Sequence, residues 1–405
     1  MRAGAWRKLL IITVPAIGVM AIIMAAAVEV WVRANWEPRK GRPGFFLTDA
    51  VRGQRLAANY DGWFAGVPVH INQLELRDER DYDLAKRPNT FRILVLGDSV
   101  TFGHGSVSEH AYPYLVEQRL KAWRQDIEWQ VWNAAVPGYN TSQELAHLLE
   151  VGPRFQPDLV VVGFFENDLI DNHEMAPPGV ALKALAGTLS LMRRHVYSLE
   201  LYKKAYLQLA WKFSKSDEYR RRVQHLGTEE SLIANVQDAS TLEQQTLTPF
   251  ERLTDAQVRD VNCVYGMKPN GALIPAIEHD SGFAAWVAAV RGFQRLNTAG
   301  TYRIVFFLND VPPVCPDGDV FYDGGSKTID AFYLRLMSEG TPAVSTYDAF
   351  LHVRPSQMPS ASGHSIGNSN VVKAEALFEY LRDRVLADAL PATLRARTAT
   401  SAPPR

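Results

Sequence analysis

Apolar positions fall into two patterns along this chain. Residues 9–32 are almost continuously apolar, with Thr13 and Glu29 as the polar breaks. At ~1.5 Å rise per residue such a run makes a helix long enough for a bilayer core of about 30 Å. From residue 91 onward, short runs take over. Residues 91–96 are apolar apart from Arg92 and end at Gly97, which predicts a buried parallel strand. In 127–133, Ile127, Trp129 and Val131 alternate with Glu128 and Gln130, the mark of a strand with one polar face. Residues 159–165 and 302–308 are further apolar runs, and 343–347 is a shorter one. Helical spacing separates them. Residues 112–123 and 143–151 fill the first gaps, and 283–296 precede the fourth strand. Near the end, Val371, Ala374, Leu377, Leu381 and Val385 recur at helical intervals. Strands alternating with helices imply an α/β fold whose parallel sheet is covered on both faces. Ligands in such sheets bind beyond the carboxyl ends of the strands.

The apolar start follows a basic stretch, residues 1–8, carrying Arg2, Arg7 and Lys8. It is either a signal peptide cleaved near Ala25-Ala26-Ala27 or an uncleaved transmembrane anchor over 9–32. Continuation of the apolar run to Val32 favours the anchor, while basic residues on both sides leave the topology open. Residues 33–90, rich in Gly, Arg, Asp and Asn, are expected to be an irregular lead-in packed on the main domain, 91–388. An insertion at 173–276 interrupts that domain's alternation. Within it, 193–222 holds nine Lys/Arg against three Asp/Glu, interleaved with Tyr197, Tyr202, Tyr206, Trp211 and Phe213. The next stretch, 226–280, reverses the balance to three against nine. A basic aromatic helix can meet lipid headgroups or an anionic glycan, and it can equally be a solvated face. The Pro-containing tail, 389–405, is expected to be disordered.

Composition narrows the function classes. With 43 Lys+Arg against 44 Asp+Glu, the chain carries no charge excess that would favour nucleic acid. Two cysteines cannot build a disulfide scaffold or a four-thiolate zinc site. No spacing of His, Asp, Glu or Cys resembles a metal site, and no cofactor is expected. Cys263 and Cys315 are either one disulfide across a loop of about 50 residues, which would suit an exported domain, or two unrelated thiols.

Four short elements can carry chemistry. Gly97-Asp98-Ser99 follows the first buried strand, where a hydroxyl at the sheet top would meet helix-end amides, a sound place for a nucleophile. Gly138 follows the second strand, in Ala135-Val136-Pro137-Gly138-Tyr139-Asn140, where a backbone amide can approach an oxyanion. Asn167 ends the third strand, in Glu166-Asn167-Asp168, and its carboxamide is a suitable further oxyanion donor. His364, in Gly363-His364-Ser365, precedes the last helix and can serve as general base. Singly, each is also an ordinary turn, cap or surface residue. His104, five residues after Ser99, would line the mouth of such a site or sit at the surface.

Taken in this order, these elements resemble the SGNH/GDSL hydrolase superfamily over about residues 90–170 and 277–388. Asn72 and Leu76-Arg77-Asp78 add a likeness to its membrane-anchored bacterial members. The resemblance implies a three-layer α/β/α sandwich, ester hydrolysis or acyl transfer without a metal, and a soluble domain on the periplasmic or extracellular side. It implies Ser99 as nucleophile, His364 as base, and the Ser99 amide, Gly138 and Asn167 as the oxyanion hole. The family usually places an aspartate two or three residues before the histidine, where this chain has Ser362 and Ala361. Three accounts stay open: a Ser–His dyad, Asp348 reaching His364 from another loop, or a degenerate site that only binds. The expected activity is hydrolysis of O-acyl, including O-acetyl, esters. Its alternatives are an O-acyltransferase modifying an envelope glycan beside an integral membrane acyltransferase partner, and a weakly catalytic glycan- or lipid-binding domain.

Overall fold

Five parallel strands form the central sheet, and their side chains alternate between two apolar layers. The structure, a computed structural model, describes residues 13–36, 43–49, 51–171, 188, 192, 194–202, 247–261, 273–312, 314–315, 326–361 and 364–390. Most of the 173–276 insertion, including nearly all of the basic aromatic stretch, lies outside them, as do residues 1–12 and 391–405.

Helix α1, Val14–Ala34, is exposed along nearly all its length, with mean hydropathy 2.0 over its most apolar window. By length and composition it is a candidate membrane span, a description that an N-terminal signal sequence also fits. Glu29 near its end is satisfied by three donors, Arg33 Nε (2.6 Å) and the backbone N–H groups of Tyr197 (3.0 Å) and Ser198 (2.8 Å).

The lead-in is not irregular. It forms two antiparallel hairpins, β1 (Phe46–Asp49) with β2 (Gly53–Leu56), and β3 (Tyr60–Phe64) with β4 (Val67–Ile71). The second turns through Ala65 and Gly66, both at positive φ (52° and 80°), which matches the twist of the flanking strands. Alanine is a poor signal for that turn, so the pattern escaped the sequence reading. Phe45, Leu47, Tyr60, Phe64, Val69 and Ile71 share a core with Phe102 and Tyr139 of the main domain. The lead-in therefore packs directly beside the carboxyl end of the first sheet strand.

The sheet comprises β5 (Thr90–Gly97), β6 (Glu128–Asn133), β7 (Leu159–Phe164), β8 (Ile304–Leu308) and β9 (Ala343–Ser345), in the order β6-β5-β7-β8-β9 and all parallel. The covering helices are α2 (Tyr112–Trp123), α3 (Thr141–Phe155), α4 (Phe283–Thr298), α5 (Ser326–Met337) and α6 (Asn368–Tyr380). On one face Leu94, Leu96, Val160, Val162 and Phe306 meet Leu148 and Phe155 of α3, Trp286 and Phe293 of α4, and Tyr333 of α5. On the other face Ile93, Val95, Val131, Val161 and Phe307 meet Val116 and Leu120 of α2 and Ala374 and Leu377 of α6. A period-2 strand buried on both faces needs apolar residues at every position, which explains the continuous runs. The result is a three-layer α/β/α sandwich. Helix α5 was not expected, and the fifth run is shorter than anticipated, because Tyr347 already belongs to a helix, Tyr347–Leu351.

Strand order sets the site. From β5 the chain steps outward to β6 on one side, then returns past β5 to β7 on the other, so the crevice opens at the end of β5. Gly97 and Gly163 are register partners there. Thr101 fills the space where both would carry a Cβ: its Oγ1 would lie 2.2 Å from an added Cβ at either position. These glycines let the first turn after β5 lie flat against the sheet end.

Candidate active site

Asp98 caps the short helix Ser99–Phe102: its Oδ1 accepts the Val100 N–H at 2.9 Å, which turns the chain sharply out of β5. This cap leaves Ser99 as the first helical residue, with its hydroxyl at the sheet top. Ser99 Oγ lies 2.8 Å from His364 Nε2 and 3.5 Å from Asp98 Oδ2. His364 reaches it from β11 (His364–Ser365), which pairs with β10 (Ser360–Ala361) just before α6. Residues 265 apart in sequence are thus joined by one hydrogen bond.

Gly138 takes φ 80° in the β6–α3 loop. That loop is tied to the end of β5 by the Val136 N–H donating to the Gly97 carbonyl at 3.0 Å, and Asn140 then starts α3 through a reciprocal cap with Gln143. Asn167 opens the helix Asn167–Asp171 immediately after β7. Its carboxamide faces the Asp98 carboxylate and helps to stabilise it, and its Oδ1 is buried with no hydrogen-bond partner among the described residues.

Asp348 does not join this group. It is exposed in the helix after β9, its carbonyl accepts from His352 Nδ1 at 2.7 Å, and its charge acts on His352 and Asp330. The reason is topological, since β9 is the far edge strand, three places from β5. The alternative position, Ser362, lies outside the described residues. So does Cys263, whereas Cys315 is buried and disulfide-bonded.

Several residues that the structure places around the site had no definite role in it from the sequence. His104, left open as a mouth or surface residue, is buried at 1% exposure and stacks on His364 with ring centroids 4.1 Å apart and 21° between planes. Burial, and then the nearby charges of His364 and Arg77, hold its pKa well below the usual value, so it is neutral. Arg77 is itself buried and donates to the carbonyls of Phe102 (2.5 Å), Gly103 (2.6 Å) and Ser106, with its guanidinium 4.5 Å from the Phe102 ring centroid. It thereby closes the loop that follows the Ser99 helix.

Beneath Ser99 lies a layer of buried ionisable groups. Glu144 of α3 is fully buried, neither oxygen has a hydrogen-bond partner among the described residues, and burial together with Asp98 pushes it well above the usual carboxylate range. Lys373 of α6 is also buried. Desolvation pushes it down to about 8, against the pull of Asp98 and Asp310. Asp310, just after β8, is pushed up to about 7 by burial and by Asp330 and Glu166. A signal for two of these was present: Glu144 stands at helical spacing with Leu148 and Val151, and Lys373 interrupts the apolar stripe of the last helix. Among the described residues no group of three His, Cys, Asp or Glu is gathered that could hold a metal ion.

Comparison with known proteins adds the lineage. Residues 95–258 match the GDSL-like Lipase/Acylhydrolase family, and they include Ser99, Gly138 and Asn167 in order. Over that segment the chain is similar to the SGNH/GDSL hydrolases. An arylesterase of Vibrio mimicus is 31% identical over 102 residues, which cover 25% of this chain and 48% of that protein. The chain thus spans about half the length of this curated relative. Among solved structures, a catalytic mutant of Axe2, an acetylxylan esterase from Geobacillus stearothermophilus, is 14% identical with TM-score 0.36, covering 72% of this chain and 93% of its own. LAE5, an alpha/beta hydrolase from the metagenome of Lake Arreo, is 14% identical with TM-score 0.34, covering 71% and 94%.

Proposed function

We propose that this chain is a serine esterase that cleaves O-acyl esters at Ser99 and works at a membrane surface, with its soluble domain outside the cytoplasm. The observation that carries the reading is the 2.8 Å contact between Ser99 Oγ and His364 Nε2 at the carboxyl end of β5. As Ser99 Oγ attacks the ester carbonyl, its proton passes to His364 Nε2. The carbonyl oxygen becomes an oxyanion held by the backbone N–H groups of Ser99 and Gly138 and by the Asn167 carboxamide. That amide has two N–H donors, so one can face Asp98 while the other meets the oxyanion. The alcohol leaves with the proton from His364, giving an acyl-Ser99 intermediate. Water, deprotonated by the same histidine, then releases the acid and restores the serine. With Asp348 on the far edge of the sheet, the reading is of a Ser–His pair whose imidazole is oriented without that carboxylate. By analogy with the hydrolases that the chain resembles, the substrates of this reading include O-acetyl groups of an envelope glycan.

The long apolar α1 favours a second reading, in which a glycan hydroxyl supplied at the membrane takes the place of water as acyl acceptor. The test is release of p-nitrophenol from its acetate ester by the full chain in detergent micelles, beside Ser99→Ala and His364→Ala. Loss of turnover in both variants is expected. Hydrolysis that persists in folded Ser99→Ala would refute the assignment. Acetate release accelerated by an added sugar acceptor, with the acetyl group found on that sugar, would favour the transferase.

A further inference from the structure

His104 takes no part in the steps above, yet it lies against the residue that moves the proton. It sits on the loop directly after the Ser99 helix, and its ring is nearly parallel to that of His364, with centroids 4.1 Å apart. Phe64 of β3 holds it from another side, edge-on at 5.2 Å and 82°. Among the described residues neither ring nitrogen of His104 has a hydrogen-bond partner, and the residue is sealed from bulk water at 1% exposure. Its neighbours carry charge of one sign toward it. Arg77 packs on Phe102 beneath the same loop, and His364 becomes cationic during turnover. Glu79 and Glu109 act on Arg77, and Asp98 acts on His364 from below. The hairpin element contributes the apolar Phe64 ring. A proton on His104 would therefore lie between two cations without an acceptor, and the ring stays neutral through the cycle.

We propose that His104 is a positioning residue for His364: its ring face fixes the plane of the imidazole toward Ser99 Oγ and receives the positive charge that His364 gains with the serine proton. No bond to His104 forms or breaks, and no proton reaches it. Electron-rich ring faces attract a cation placed over them, and the attraction grows when water is excluded. The inference rests on Ser99 and His364 being nucleophile and base.

The experiment compares His104→Phe, which keeps a ring face, with His104→Leu, which fills similar volume without one. The full chain is assayed in micelles for kcat and KM on p-nitrophenyl acetate from pH 5 to 9, for the rate of Ser99 labelling by a fluorophosphonate, and for thermal unfolding. His104→Phe is expected to keep kcat within about threefold and the acid limb of kcat/KM in place, whereas His104→Leu loses about tenfold in kcat with KM within about twofold, labels more slowly and shifts that limb. Folded His104→Leu with wild-type kcat and labelling would overturn the proposal. So would a His104→Phe variant as slow as His104→Leu, since the nitrogens and not the ring face would then matter. If His104→Leu does not fold, His104→Met supplies the comparison without a ring. Wild-type protein that neither hydrolyses the ester nor labels would instead refute the esterase reading itself.

Discussion

A single methyl group behind Ser99, the proposed nucleophile, should be enough to disable it. In Gly163→Ala the added Cβ would lie 2.2 Å from Thr101 Oγ1, 2.9 Å from the Tyr112 hydroxyl and 3.2 Å from Asn309 Nδ2. Comfortable contact needs about 3.5 Å, so Thr101 must retreat by about 1 Å. The strand cannot yield, because β7 is hydrogen-bonded to β5 and β8 on its two sides. Nor can Thr101 move toward β5, since it already lies directly over Gly97. The helix Ser99–Phe102 must therefore tilt away from the sheet, carrying Ser99 with it and stretching the 3.0 Å hydrogen bond from the Tyr112 hydroxyl to Thr101. Overpacking of this kind costs about 1–3 kcal/mol of stability, and a reacting group misplaced by about 1 Å costs about 10²-fold in rate. The variant should thus melt roughly 2–10 °C lower and lose about two orders of magnitude in kcat on p-nitrophenyl acetate. Adding Thr101→Ala removes the obstructing oxygen, so the double variant should recover most of the lost kcat, a departure from additivity. Wild-type kcat in Gly163→Ala, or simple addition in the double variant, would refute the wedge between the two glycines.

Other outcomes follow from the buried charges. Lys373→Met leaves the Asp98 and Asp310 carboxyls without their buried cation and should cost about 3–5 kcal/mol in urea unfolding. Unchanged stability would mean that the lysine is not paired with them. Asp310, raised to about 7, binds a proton in the folded state that the unfolded chain has already released between about pH 4 and 7. Stability contributed by this group therefore falls as pH rises through that window, and Asp310→Asn should flatten the fall between pH 5 and 8 in melting curves. Asp348→Asn, an exposed position at the far sheet edge, should leave kcat within about twofold of wild type. A loss of several orders of magnitude there would mean that Asp348 orients His364 after all.

Much of this molecule was legible in the chain because its strands are buried on both faces. That burial demands unbroken apolar runs such as those around Val95, Val161 and Phe306, and so the parallel sheet, all of its covering helices but α5, and the strand-end positions of Ser99 and Asn167 could be read from residue pattern alone. The long apolar start was equally plain, a candidate membrane span by length and composition that a signal sequence also fits. The hairpins of the lead-in were hidden, because their short strands mix charged and apolar residues and turn through an alanine. Other features depend on packing between distant segments, which no local pattern encodes. The identity of the neighbours of His364 is of this kind: strand order carries Asp348 to the far edge and brings His104 onto the ring. The state of Glu144, Asp98, Lys373 and Asp310 is another, since a carboxyl or an ammonium takes its charge from burial and from the partners that the folded chain supplies. Residue types and their periodicity determined the layers and the place of the chemistry. Long-range packing alone decided which groups meet there and which of them carry a proton, because desolvation and charge pairing exist only once distant segments exclude water together.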